Sequence, residues 1–168
     1  ICSGALRQYM QTHDELPKES LKAMVPVSMR EAGDLESGNA VAAITADLAE
    51  ASGGVFHLLD LVPAPDRDSA NLALYRSDTD ALRMQIFEGL KAAGERATPA
   101  VVEREIGGFE RASAALDAIE AIERAGGTAH YHSVNLLDGD GMAEVMESIT
   151  DRHDRVDVLL HAGGLEIS

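Results

Sequence analysis

Apolar residues recur along the chain with two periods, and the period changes where Gly, Pro and Asp cluster. Leu6, Tyr9 and Met10 stand at i, i+3 and i+4 and predict a short first helix over residues 3–12. After a turn at Glu15-Leu-Pro17, the run Lys22-Ala-Met-Val-Pro-Val-Ser28 is apolar and β-branched, so a strand is expected. Pro26 cannot donate to a ladder, which places that strand at a sheet edge or a bulge. Val41 to Ser52 reads two ways. Val41, Ile44 and Leu48 fit a helix stopped by Gly53-Gly54, whereas Ala42, Ile44, Ala46 and Leu48 alternate as a strand would. The helix is favoured because Ala and Glu are strong helix formers. Val55-Phe-His-Leu-Leu-Asp-Leu-Val62 is β-rich, long enough for a buried central strand, and closed by Pro63-Ala-Pro65.

Residues 66–77 read as polar loop. Asp78 then caps a helix with Leu82, Ile86 and Leu90 inward, ending near Gly94. Thr98-Pro99 opens another through Val102, Ile106 and Phe109, with Gly107-Gly108 as a point of interruption. Ala112, Leu116, Ile119 and Ile122 carry the helical spacing on to Gly126-Gly127. Thr128 to Val134 predicts a strand, Asp140 through His153 a helix with Met142, Val145, Met146 and Ile149 inward, and Val156 to His161 another strand. Strand, helix and strand in succession imply a parallel sheet. The expected class is α/β: an incomplete parallel sheet with flanking helices, preceded by a short helix–strand segment. There is no internal repeat.

Composition narrows the function classes. The 168 residues, 45% hydrophobic, suffice for one domain, or one small domain plus a fragment of another. Lys and Arg total 14 against 29 Asp and Glu, and a net charge of −15 repels phosphate backbones, so nucleic acid is not an expected partner. Cys2 is the lone cysteine, which excludes an internal disulfide framework and a cysteine-ligated zinc site and fits a reducing, cytoplasmic setting. No apolar run approaches the ~20 residues of a membrane span, and no basic-then-apolar leader opens the chain. The sequence starts at Ile1 and stops just after an apolar run, so both ends read as cut.

Ligands of a doubly wound sheet bind beyond the carboxyl ends of the strands. The candidates so placed are Asp60, Asn135 and the tetrad His161, Ala162, Gly163 and Gly164. An acid at the end of a second strand can accept hydrogen bonds from a ribose diol, and small residues let a nucleotide approach the backbone. Asp60 is equally a strand-end acid before a turn, and Gly163-Gly164 equally a strand-to-loop turn. His130 and His132 share one face of a strand and could be two metal ligands, but no third ligand stands at a suitable spacing, so no metal site is expected. His57 and Asp60, three apart in an extended segment, point to opposite faces and do not form a catalytic pair. Cys2 lacks an activating base, and Met142 and Met146 read as helix core.

Val55-Phe-His-Leu-Leu-Asp60-Leu, Thr128-Ala-His-Tyr-His-Ser-Val-Asn135-Leu-Leu-Asp138 and Arg155-Val-Asp-Val-Leu-Leu-His161-Ala-Gly-Gly164 resemble the second, third and fourth strands of the short-chain dehydrogenase/reductase family. The likeness is to ketoreductase domains of polyketide and polyunsaturated fatty acid synthases, runs from about 41 to 168, and implies a partial Rossmann-like, dinucleotide-binding domain. It implies NAD or NADP as cofactor, with Asp60 at the adenine ribose favouring NAD because a carboxylate repels a 2′-phosphate. Asn135 falls where the family has an Asp beside the adenine, and Gly163 where Ala is usual. The family's Gly-rich turn should precede Val41, yet Glu36-Ser-Gly38-Asn-Ala40 has one glycine, and its Ser and Tyr-x-x-x-Lys would fall beyond Ser168. No catalytic residue of an oxidoreductase is therefore assigned, and nucleotide binding is expected to be weak or absent.

The first part resembles another family. Cys2-Ser-Gly-Ala-Leu-Arg-Gln-Tyr-Met10, Glu15-Leu-Pro17, Lys22-Ala-Met-Val-Pro-Val-Ser28 and Gly38-Asn39 look like the C-terminal half of wax ester synthase/diacylglycerol acyltransferases, over about residues 1–40. That resemblance implies acyl transfer from coenzyme A thioesters to an alcohol, although the family's His-His-x-x-x-Asp-Gly is absent. The expected division is an acyltransferase-like segment, 1–40, and a partial reductase-like domain, 41–168. The first expectation is a ketoreductase domain inactive alone; the alternatives are an acyltransferase fragment and a non-enzymatic structural domain. The partner expected in each case is a second copy of the chain or a larger multidomain enzyme that covers exposed sheet edges.

Overall fold

A computed structural model describes the backbone of residues 22–26 and 35–160 and the side chains of residues 43–160. It divides the chain into two compact units, Ile1–Pro63 with Ala118–Ser168, and Ala64–Asp117.

Among the described residues the first unit holds one parallel sheet. Its strands are β1 (Lys22–Pro26), β2 (Val55–Asp60), β3 (Thr128–Ser133) and β4 (Val158–Leu159), in the spatial order β3-β2-β1-β4. Val55 pairs with both Lys22 and Thr128, and Ala23 with Val158. Every pairing is parallel, and this is the order in which a doubly wound sheet begins, so the fold is α/β and Rossmann-like but incomplete. The sheet takes strands from both sides of residue 40.

β2 is buried on both faces, as a near-continuous apolar run requires. Alternation sends Phe56 and Leu58 one way and His57 and Leu59 the other. Phe56 and Leu58 pack with Leu48 and Ala49 of helix α1 (Leu35–Ser52) and with Ile119 and Ile122 of α4 (Pro99–Arg124). Leu59 packs with Val134 and with Ile149 of α5 (Gly139–His153). Turn glycines fit the chain to this core. Gly53, at φ +60, follows the end of α1, and a Cβ on Gly127 would lie 2.9 Å from Ile122 Cγ2 and 3.2 Å from Phe56 Cε2.

The second unit contains α2 (Ala70–Ser77), α3 (Thr79–Ala92) and the first part of α4. Leu82, Val102 and Ile106 form its core, with Ile86, Leu90 and Phe109 against them, as the helical spacing predicts. Asp78 caps α3 by accepting from the Ala81 amide at 2.9 Å.

Val41–Ser52 is helix, the reading favoured from its Ala and Glu content. Other expectations need correction. The polar stretch 66–77 contains α2, because Ser69 accepts from the Leu72 amide and Leu72 is buried. Gly107-Gly108 do not interrupt α4, whose flanking Val102, Ile106 and Phe109 are held in one cluster. β1 is an inner strand rather than an edge: β4 pairs only with Ala23 and Met24, so Pro26 lies past that ladder and its missing N–H interrupts nothing there. β4 has two residues, and His161 of the expected strand lies outside the described residues, as does the whole of the expected first helix over 3–12. No helix among the described residues is long and apolar enough to cross a membrane.

Candidate functional site

Parallel strands end on a common rim, and two predicted residues emerge there. Asp60 closes β2 opposite Ser133, the last residue of β3, and its carbonyl accepts from the Val134 amide at 2.7 Å. Asn135 follows one residue later on the same rim. His161, Ala162, Gly163 and Gly164 lie outside the described residues.

Both rim residues are engaged by nearby backbone. Asp60 is 4% exposed, and its Oδ1 accepts from the Val62 amide at 3.3 Å. Tyr131, on the same face of β3, donates its hydroxyl to the Val62 carbonyl at 3.1 Å. Burial, then the adjacent Asp60 carboxylate, push the Tyr131 hydroxyl above the usual tyrosine range. The carboxylate thus faces the Val62 amide and the Tyr131 phenol rather than solvent. Asn135 is exposed, and its Oδ1 accepts from the Leu137 amide at 3.0 Å, an Asx turn leading into Asp138. Asp138 caps α5 by accepting from the Gly141 amide at 3.3 Å.

The other sheet face carries a constellation that reading strand by strand misses. His130 and His132 do share a face, and the register places His57 directly opposite His130. His153, the last residue of α5, completes the group. The ring centroid of His57 lies 5.0 Å from that of His130, 5.2 Å from His132 and 5.1 Å from His153. His57 Nδ1 and His132 Nε2 are 2.9 Å apart, so one donates to the other. His57 is 1% exposed, and its Nε2 is buried without a hydrogen bond.

Burial, then the neighbouring imidazoles and Arg152, lower the His57 pKa to about 4. Burial also lowers His132, with His130 and Arg152 acting in the same sense. The rings of His130 and His132 stack on His57 at 25° rather than converging on a point, and no group of three or more ligands among the described residues has a metal-holding arrangement. The strand alternation of His57, His130 and His132 was visible in the sequence, but their meeting depends on β2 and β3 being neighbours in this register.

No protein-family model matches the chain, and no solved structure matches it. Over 87 residues the chain is 35% identical to two proteins named as diacylglycerol O-acyltransferases in Mycobacterium tuberculosis, strains CDC 1551 / Oshkosh and ATCC 25618 / H37Rv; the match takes in 52% of this chain and 19% of each relative. Over 49 residues it is 47% identical to the O-acyltransferase WSD of Acinetobacter baylyi (strain ATCC 33305 / BD413 / ADP1), or 29% of this chain and 10% of that one. The chain thus spans about a fifth or less of the length of these curated relatives. Both matches exceed the forty residues that carry the acyltransferase resemblance, so the likeness extends past that segment. These relatives support the acyltransferase resemblance and lend nothing to the reductase one.

Proposed function

We propose that the chain is part of an O-acyltransferase of the wax ester synthase/diacylglycerol acyltransferase type, which transfers an acyl group from a coenzyme A thioester to an alcohol. The observation that carries this reading is the 47% identity over 49 residues to the O-acyltransferase WSD, joined by 35% identity over 87 residues to the two mycobacterial relatives. The sequence contains no His-His-x-x-x-Asp-Gly, so no residue of this chain is assigned the general-base role. Its contribution is structural: a parallel sheet with covering helices that supports a site supplied by other residues. Cytoplasmic placement, and association with a second copy or within a larger multidomain enzyme, accompany this reading.

The test is a chimera in which the matched 49-residue span replaces its counterpart in the Acinetobacter baylyi O-acyltransferase WSD. Release of free coenzyme A from an acyl-CoA in the presence of a long-chain alcohol should persist within about tenfold of the parent enzyme, a barrier change of about 1.4 kcal/mol. A folded chimera without alcohol-dependent release would overturn the proposal.

A second reading, a partial NAD(P)-dependent reductase, is favoured by one observation: the all-parallel order β3-β2-β1-β4, with Asp60 closing the second strand. Sheet order alone does not assign chemistry. The buried, internally bonded Asp60 makes weak or absent NAD or NADP binding the expectation, and NADH fluorescence titration measures it. Saturable micromolar binding abolished by Asp60→Ala would restore this reading.

A further inference from the structure

The histidine face of the sheet couples α5 to pH. Four imidazoles from three elements meet here: His57 from β2, His130 and His132 from β3, and His153 from the last turn of α5. We propose that this cluster is a pH-sensitive latch that holds α5 on the sheet while the buried His57 ring is neutral and releases it when that ring is protonated.

The titratable and charged groups acting on His57 are His132, His130, His153 and Arg152, and all are basic. The carboxylates of α5, Asp140, Glu144, Glu147 and Asp151, are on its exposed side. Asp60 and Tyr131 occupy the opposite face of β2 and β3. On β1, Met24 is level with His57, and Lys22 is the single charged residue. Beyond α5, Arg155 pairs with Asp157 at 2.6 Å, and Asp154 is exposed. A proton on His57 therefore enters a buried site among like charges, with no acid among the described residues placed to offset it.

Neutral rings fit the same space well. His130 and His132 stack on His57, His153 meets it edge-on, one hydrogen bond joins His57 to His132, and the apolar cluster of Leu59 and Ile149 with Met146 holds the helix beside them. His57 Nε2 is the weak point, because a buried nitrogen without a hydrogen bond is stabilised by exposure to water. Opening the face would hydrate that nitrogen and let it accept a proton. α5 is the covering element with the smaller apolar stake: Ile149 is its sole buried residue, whereas α1 and α4 together hold the opposite face through Leu48, Ala49, Ile119 and Ile122. Acid should therefore lift α5 first.

The sign follows from linkage. The docked state lowers the affinity of His57 for a proton, so docking is fully favoured above the ordinary imidazole pKa of 6.5 and weakens as pH falls toward about 4. With those two values, moving from pH 7.5 to 5.0 shifts the docked-to-released ratio by roughly thirtyfold.

Hydrogen exchange read by mass spectrometry on the 168-residue chain, corrected for intrinsic exchange at each pH, tests this directly. Peptides from α5 should lose roughly thirtyfold in protection between pH 7.5 and 5.0, while peptides from α1 keep theirs within about threefold. His57→Phe, which retains a stacked ring without a titratable nitrogen, should abolish the pH-dependent loss in α5. His153→Gln provides a second variant that leaves the central strand unaltered, and it should reduce the loss. Unchanged α5 protection in the wild-type chain at pH 5.0, or equal losses in α1 and α5, would overturn the proposal.

Discussion

The two faces of the β2–β3 pair are built from alternate residues of the same strands, yet they are held in different ways. One face presents Phe56, Leu58 and Tyr131 to α1 and α4, and its polar groups, Asp60 and the Tyr131 hydroxyl, are used at the rim. The other presents His57, His130 and His132 beside Leu59, under α5. The first face is an apolar core with hydrogen bonds confined to its end; the second places titratable rings inside the packing. Stability on the second face should depend on pH between 7.5 and 4.5, as the lowered His57 pKa requires.

The largest expected effect breaks the apolar face. Phe56 is fully buried, so Phe56→Ala should cost about 3–5 kcal/mol in urea unfolding followed by far-UV circular dichroism, with the pH dependence of unfolding unchanged. Next comes the imidazole face. The His57 pKa, lowered from 6.5 to about 4, implies a loss of about 2–3 kcal/mol between pH 7.5 and 4.5, because the unfolded chain takes up the proton first. The chain also carries a net charge of −15 whose self-repulsion eases in acid, so the difference between wild type and His57→Phe isolates this contribution. A smaller effect sharpens the rim. Tyr131→Phe removes the hydroxyl that donates to Val62 and should cost about 1 kcal/mol at pH 7.5. Asp138→Ala, which uncaps α5, should cost about 0.5–1 kcal/mol and raise exchange in the first turn of that helix alone.

Much of this architecture was legible along the chain. The spacing of Leu82, Ile86 and Leu90 marks α3, that of Met142, Val145, Met146 and Ile149 marks α5, and the β-rich run from Val55 marks the buried strand. The failures have physical causes. α2 is eight residues long and follows the polar run Asp66-Arg-Asp-Ser69, so Leu72, Leu74 and Tyr75 are too few to establish a period and the helix start rests on the Ser69 cap. Pro26 pointed to an edge because the chain order does not reveal that β4 reaches only two residues along β1. Asp60 was legible as a strand-end acid, but its burial beside Tyr131 depends on a residue 71 positions later in sequence. The histidine cluster was hidden for the same reason: parity within a strand can be counted, but meeting across strands and at a helix end depends on register.

The protonation state of one ring, His57, sets the pH dependence of the α5 face. Nuclear magnetic resonance titration of the six imidazoles in the folded chain should show one ring, missing from the spectrum of His57→Phe, that stays neutral down to a midpoint near pH 4. Six rings all titrating close to 6.5, with α5 still protected, would contradict it.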